Sequence, residues 1–410
     1  MKILNFGSCN VDYVYSLDHI VEPGETETSH ALEVFPGGKG LNQSIAVAKA
    51  AGKIYHAGCI GKEGEFLAEM LQDNGVDISF IKFVEEKNGH AIIQVSKDGE
   101  NCIFLYPGSN EMIEKEDIDR VLEHFSQGDM LLLQNEISNL AYLVEKAYQK
   151  GLQVVLNPSP YNEKIAALNF HKITYLILNE VEAKAISGLT DVDDILEFWK
   201  KEYPNLKLML TLGKKGCFYQ DQKHCVYHPI FSVDVVDTTA AGDAFAGYFV
   251  AGVAKGLPYR EILKLASCAA ALAVSKKGAA PSIPKMEEVL RKMPTLPVRD
   301  TDYKTEKTRR KIEHYLDQNY QKVTLYDLAE HLGYSNVYTE KIVKKCTGAT
   351  FKQLLIDKRL SEAARLLSKT DLPLNEIISK VGYENQSFFR QIFKEKYGAN
   401  PLAYRKKGDK

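Results

Sequence analysis

The chain has 410 residues, 45% of them hydrophobic, enough to bury a large core and to fill two domains. Its seven cysteines stand singly with no CxxC pair, which argues against a zinc site or a disulfide framework and for a reduced, cytoplasmic setting. The net charge of −2 hides an imbalance: residues 301–410 hold 22 Lys+Arg against 14 Asp+Glu, and residues 1–300 hold 30 against 40. A basic end on an acidic body suits a nucleic acid at one end and a small molecule at the other, or else marks an incidental solvated face.

The opening MKILNFGSCNVDYVY is interrupted by Asn5, Asn10 and Asp12, so it does not read as a signal peptide, and no run of about 18 apolar residues offers a membrane span. From residue 1 to about 293, short apolar runs alternate with helical stretches. ILNFGS, IYHAGCIG, DMLLLQ, LQVVLNPSP, ITYLILN and LKLMLTLG read as strands covered on both faces. GLNQSIAVAKAAG and GEFLAEMLQDNG between them read as helices closed by glycine. This alternation predicts an α/β fold with a doubly wound sheet. GHAIIQVSKDGENCIFLYP departs from it as a hairpin around Asp98 and Gly99, and DYVYSLDHI with SHALEVFP adds short strands. Together they predict a small separate sheet, a candidate lid. RKMPTLPVRDTDYKTEKTRR, with two prolines and no apolar period, predicts a linker at 294–304 between a domain at 1–293 and one at 305–410.

The last segment is helical and repeats. TLYDLAEHLGYS and PLNEIISKVGYE share a helical apolar spacing followed by Gly-Tyr, with Gly333 and Gly382 49 apart, and Gly348 and Gly398 50 apart. A helix, a glycine turn and a second helix, occurring twice, predict an all-α domain with two helix-turn-helix motifs.

In DVVDTTAAGDAFAGYF (234–249), Asp243 follows Ala240, Ala241 and Gly242 where a helical pattern begins. A helix start binds anions through its unpaired N–H groups, and small residues let a phosphate approach them. A carboxylate there can take a proton from an attacking hydroxyl, which with the anion hole is what phosphoryl transfer to an alcohol needs. The plainer reading, an N-cap aspartate on a small-residue turn, stays open. FPGGKGLNQSIAVAKAAG sets Gly37, Gly38 and Gly40 around Lys39, with Asn42 opening a helix, so backbone and donors can meet a polyhydroxy ligand. GGKG can equally be only a turn, and it lacks P-loop spacing. Asn10 and Asp12 stand two apart on an extended segment and share one face, which suits a vicinal diol or a polar strand end.

PGGKGLNQ and DTTAAGDAFAG, with LNPSP, LNEVEA, TLGKKG and SKKGAAPSIP in that order, resemble the PfkB-type sugar kinases over residues 1 to about 290. The likeness is greatest to their ribokinase branch, in which alanine at the place of Ala240 replaces the usual glycine. The resemblance implies ATP-dependent phosphorylation of the primary hydroxyl of a pentose, ribose foremost, by Asp243 as base with the amides of Ala241, Gly242 and Asp243 as anion hole. It implies sugar contacts from Asn10, Asp12, Gly38, Lys39, Asn42 and Glu136, and a nucleotide pocket lined by Asn179 and by Thr211 to Gly216, Gly213 included. It implies Mg2+ held through water by Glu182, and K+ held by Asp237 and the carbonyls of Thr239, Ala273, Lys276 and Gly278, with Ser282. It further implies a homodimer through the lid sheet.

LAEHLGYSNVYTEKIVKKCTGATFKQLL and RLSEAARLLSKTDLPLNEIISKVGYENQSFFRQIFKEKYGANPLAYR resemble the AraC family of DNA-binding domains. In the second repeat, Phe388, Ile392 and Phe393 recur at helical spacing and are expected in the core. That leaves Gln386, Ser387, Arg390, Gln391 and Lys394 to face a major groove of double-stranded DNA. The matching positions of the first repeat are Asn336, Val337, Thr339, Glu340, Lys341 and Lys344, and a merely solvated face is the plainer reading of each. Three functions fit: a kinase that is also a transcription regulator, a regulator that senses sugar without turnover, and a kinase whose tail binds proteins.

Overall fold

Near-continuous runs of Val, Ile, Leu and Met hold as strands where helices cover both faces of a sheet. The computed structural model, which describes residues 1–299, 303–370 and 372–408, builds its first unit (1–300) on such runs and its second (301–410) on helices alone. The strands of the first half are β1 (Ile3–Phe6), β2 (Asn10–Ser16), β3 (Ala31–Gly37), β4 (Ile54–Gly61), β5 (Asp77–Val84), β6 (His90–Val95), β7 (Asn101–Tyr106) and β8 (Met130–Gln134). They continue with β9 (Gln153–Asn157), β10 (Tyr175–Asn179), β11 (Lys207–Thr211), β12 (Cys217–Gln220), β13 (Cys225–His228), β14 (Ile230–Phe231) and β15 (Val298–Arg299). The first unit's helices are α1 (Lys39–Lys49), α2 (Glu65–Asp73), α3 (Lys115–Leu122), α4 (Leu140–Gln149), α5 (Glu163–Ala166), α6 (Glu180–Ser187), α7 (Val192–Glu202), α8 (Ala241–Ala254), α9 (Tyr259–Val274) and α10 (Met286–Lys292).

Nine strands form one sheet in the order β13-β12-β11-β10-β9-β8-β1-β4-β5. From β11 to β5 all neighbours run parallel, while β12 and β13 close the other edge as an antiparallel hairpin. β5, β12 and β13 are strands that the pattern of the sequence did not single out. The expected small sheet is present with order β3-β2-β6-β7, in which β2 and β6 are parallel and β6–β7 turn at Asp98 and Gly99. Its edge strand β7 is exposed along its whole length.

One face of the large sheet carries α1 and α8, and their close crossing depends on Gly247. A Cβ there would lie 2.3 Å from the Ala46 side chain and 2.8 Å from the Val47 backbone nitrogen. The two helices therefore run almost backbone to backbone, which brings their first turns together at the carboxyl ends of the parallel strands.

The segment expected as a linker is mostly ordered structure. Pro297 O accepts from the Ser232 amide, β15 pairs antiparallel with β14, and a helix already begins at Tyr303; residues 300–302 lie outside the described residues. Apolar Val298 and its neighbour complete a short ladder, so the prolines precede a strand instead of marking free chain.

The second unit contains α11 (Tyr303–Asn319), α12 (Leu325–Leu332), α13 (Asn336–Thr347), α14 (Phe351–Lys369), α15 (Leu374–Lys380), α16 (Gln386–Tyr397) and α17 (Pro401–Gly408). Each repeat has its own core. Ile312, Leu316, Leu328, Val343 and Phe351 pack under the first, and Leu360, Leu367, Ile377, Ile378, Phe389 and Phe393 under the second, with α14 contributing to both. Each second helix is capped alike: the side chains of Ser335 and Asn385 accept from the amides of Tyr338 and Phe388, and left-handed Gly348 and Gly398 close the far ends. Among the described residues no helix is long and apolar enough to cross a membrane.

Candidate active site

α8 starts after Ala240, whose φ of 58° is left-handed, a strained setting for alanine. Asp243, third in the helix, is buried at 7% exposure and turns inward. Its Oδ2 accepts from Asn42 Nδ2 at 3.0 Å and its Oδ1 from Gln43 Nε2 at 2.9 Å. Both donors sit near the start of α1, so the plain N-cap reading does not describe this carboxylate: it reaches across to a neighbouring helix. Of the three amides expected in the anion hole, that of Ala241 makes only a long 3.4 Å bond to Thr238 O, and a Cβ at Gly242 would meet nothing within 4 Å, so there is room beside the helix start.

The start of α1 is pressed onto the β1–β2 connection. A Cβ on Gly40 would lie 2.3 Å from Ser8 N and 2.5 Å from Gly7 C, so only glycine allows that approach. There the Lys39 amide donates to Glu136 Oε2 at 2.9 Å, and the Ser8 hydroxyl bonds the same oxygen. Asn10 is buried and accepts from Asn110 Nδ2 at 2.7 Å. Asp12 is half-buried, and burial, reinforced by the charges of Glu136 and Asp243, pushes its carboxyl up to about 7. Burial likewise raises Glu136 above the usual carboxylate range. Burial alone would lower Lys39, but the carboxylates of Asp243, Glu136 and Glu182 outweigh it and hold its ammonium above the ordinary value. The structure thus couples Asp12, Lys39, Glu136 and Asp243 electrostatically, with Asn42 bonded to Asp243 and Gly38 packed against the Asn10 and Ser8 backbone.

Asn179 and Thr211 are register partners at the carboxyl ends of β10 and β11, followed by the turn Gly213–Lys215 and by Gly216. Asn179 and Glu182 cap α6 reciprocally: Asn179 N donates to Glu182 Oε2 at 3.0 Å, and Glu182 N to Asn179 Oδ1 at 2.8 Å. Glu182 is buried, and its Oε1 is not committed to that cap. A carboxylate with one uncommitted oxygen fits a hydrated Mg2+.

Asp237 binds the Thr239 amide and hydroxyl with Oδ1, at 2.9 and 2.6 Å, and the Gly278 amide with Oδ2 at 2.9 Å. Burial opposes its charge, but these donors and the nearby Lys277 hold the carboxyl below the usual range. An ionised carboxylate beside backbone oxygens fits a hard cation. Other expected ligands are engaged elsewhere. Ala273 O accepts from the Lys276 amide, and Ser282 Oγ donates to Ala279 O at 2.8 Å; the Lys276 side chain, but not its carbonyl, the expected ligand, pairs with Glu288 at 2.9 Å.

Sequence reasoning missed the amides behind the site. Gln43, Gln134, Asn5 and Asn157 are joined by hydrogen bonds beneath Asp243. The available signal was a polar amide at or next to the end of each of three apolar strands, in ILNF, DMLLLQ and LQVVLN.

In the second unit Gln386, Ser387, Arg390, Gln391 and Lys394 are all exposed and recur on one face of α16. Phe388, expected in the core, is 43% exposed, and Phe389 and Phe393 are the buried pair. The cap at Asn385 sets this register, turning the fourth helical residue inward. The same register corrects the first repeat. Thr339, four after its cap, corresponds to Phe389 and is fully buried, so it cannot face DNA. Asn336, Val337, Lys341 and Lys344 are exposed, with Glu340 intermediate.

Comparison with known proteins agrees with both halves. Residues 1–286 match the family model described as pfkB family carbohydrate kinase, and residues 328–407 match one described as helix-turn-helix domain. The chain is 33% identical over 296 residues to ribokinase of Haemophilus influenzae, which covers 69% of this chain and 95% of that one. Ribokinase of Cryptococcus neoformans in complex with ADP aligns with a TM-score of 0.64 at 34% identity, covering 71% of this chain and 99% of that one. Ribokinase of Arabidopsis thaliana complexed with ribose and ATP aligns with a TM-score of 0.63 at 28% identity, covering 71% and 98%.

Proposed function

This chain belongs to the pfkB family of carbohydrate kinases, and from that premise we propose that it phosphorylates the primary hydroxyl of a pentose, ribose foremost, and regulates transcription through its AraC-type helix-turn-helix domain. The observation that carries the kinase reading is the setting of Asp243: buried at the first turn of α8, with a donor on each carboxylate oxygen. Asp243 takes the proton of the sugar hydroxyl while that oxygen bonds the γ-phosphorus of ATP. The bond from phosphorus to the β,γ-bridging oxygen breaks, and ADP leaves with that oxygen's charge. The start of α8 offers its unpaired amides to the transferring phosphoryl group. Asn10, Asp12, Gly38, Lys39, Asn42 and Glu136 hold the sugar hydroxyls, and Asn179 with Thr211, Gly213 and Gly216 lines the nucleotide pocket. Glu182 would hold a hydrated Mg2+ and Asp237 with Thr239 and Gly278 a K+, both supplying neutralising charge when bound.

The exposed faces of α13 and α16 would enter the major groove, and the lid sheet would join two copies, so that sugar binding alters half-site spacing. A panel of sugars with ATP, Mg2+ and K+ tests the first activity. Ribose is expected to turn over and Asp243→Ala to lose at least ~10²-fold in kcat; ribose bound but never phosphorylated would leave a sensor. DNA binding that weakens steeply with salt is expected of the second unit, and its absence would leave a protein-interaction module.

A further inference from the structure

The two faces of a side-chain amide differ chemically, so a buried amide serves a carboxylate only if its NH2 end is turned toward it. We infer that Gln43 is a positioning residue for Asp243, and that a buried amide chain ending on backbone carbonyls fixes which end of Gln43 meets the carboxylate. This deepens the kinase reading and rests on it.

The polarity can be followed from carbonyls that only accept. Gly40 O accepts from Asn5 Nδ2 at 2.7 Å, so the Asn5 oxygen is turned away from it and accepts from Gln134 Nε2 at 3.1 Å. The same Gln134 nitrogen donates to Gln43 Oε1 at 2.8 Å, which leaves the Gln43 NH2 for Asp243 Oδ1 at 2.9 Å. A second branch agrees. Ile177 O accepts from Asn157 Nδ2 at 3.0 Å, so Asn157 presents its oxygen, and Gln43 Nε2 donates to it at 3.2 Å. Reversing Gln43 would set its oxygen against both Asn157 Oδ1 and the carboxylate. One acceptor, the buried Gln134 Oε1, is left without a partner among the described residues. An apolar core would have avoided that cost, so the chain is not explained by stability alone. Gln43 also sits on α1 beside Asn42, so both carboxylate oxygens are gripped from one helix turn, and Asp243 has a single orientation.

Gln43→Leu keeps the volume and deletes its three side-chain bonds, to Asp243, Asn157 and Gln134. Its kcat with ribose and ATP is expected to fall ~10–100-fold, with KM for either substrate within about threefold; the melting temperature is expected to fall, because Asn157 and Gln134 lose a buried partner. Gln134→Met, which leaves the neighbours of Asp243 in place but removes one of the two branches that fix the direction of the Gln43 amide, should lose kcat in the same direction by less, and it carries the test if Gln43→Leu does not fold. Unchanged kcat in the variants, or KM rising in step with the loss, overturns the inference. If the unsubstituted protein itself never transfers phosphate, the kinase reading falls instead. The crystal structure of Gln43→Leu then decides: Asp243 rotated away from its present direction supports positioning, and Asp243 unmoved refutes it.

Discussion

Gly40→Ala tests whether the active site is built on close backbone contact. The added Cβ would lie 2.3 Å from Ser8 N, 2.5 Å from Gly7 C and 2.6 Å from Ser8 O, all backbone atoms that cannot swing aside. Ordinary contact needs about 3.5 Å, so the first turn of α1 must retreat by about 1 Å. In an unconstrained helix this substitution gains ~1 kcal/mol, but overpacking costs ~1–3 kcal/mol, so the net effect is a modest loss of stability. The catalytic loss is larger, because Lys39, Asn42 and Gln43 all ride on the start of that helix. A displacement of about 1 Å in reacting groups costs on the order of 10²-fold in rate. Steady-state kcat/KM with ribose and ATP, measured beside a thermal melt, checks both effects. A variant that melts at or above the parent with kcat/KM within about threefold would refute the packing argument.

Asp12→Asn should raise the melting temperature of the ligand-free protein by roughly 2–4 °C at pH 8, with the gain shrinking toward pH 5. A carboxyl raised to about 7 in the folded state favours folding while protonated, and that contribution is lost as pH climbs from its ordinary value through 7. The same variant should bind ribose more weakly, as calorimetry would show. Thr339→Val should leave DNA affinity unchanged and stabilise the second unit by ~1 kcal/mol, since its buried hydroxyl has no partner among the described residues; lost DNA binding would restore it to the reading face. Arg390→Ala should weaken binding to a selected duplex ~5–150-fold, the range of one bidentate base contact, measured by competition at fixed salt, while Phe388→Ala, also exposed, should melt within about 2 °C of the parent.

The strands of the parallel sheet were legible because each is a continuous apolar run, and the two helix starts because small residues crowd before Asp243 and around Lys39. β5, β12 and β13 were not. DISFIKFV mixes charges into its alternation, and CFYQ and CVYH are only four residues long. The proposed base, Asp243, was legible as a residue but not as a geometry. Asp243 meets Asn42 and Gln43 across about 200 positions of sequence, and no local pattern encodes that pairing. The amide chain escaped notice for the same reason: Gln134 and Asn157 close apolar strands and look like strand ends, Asn5 sits inside β1, and Gln43 lies on α1. In the helix-turn-helix domain two adjacent phenylalanines left the register open by one residue, and only the Asn385 cap decides that Phe389 goes inward.

Asn42 spends its NH2 group on Asp243, and its buried Oδ1 has no partner among the described residues. In the proposed kinase site a dehydrated carbonyl of this kind would act as a filter on guests. A molecule that brings an O–H to that spot restores the hydration the carbonyl gave up, while one that brings a C–H leaves it stripped. The difference, on the order of 1–3 kcal/mol, would by itself favour the hydroxylated guest ~5–150-fold. In the proposed reaction, such a carbonyl meeting the sugar would contribute to selectivity between pentoses and their deoxy forms.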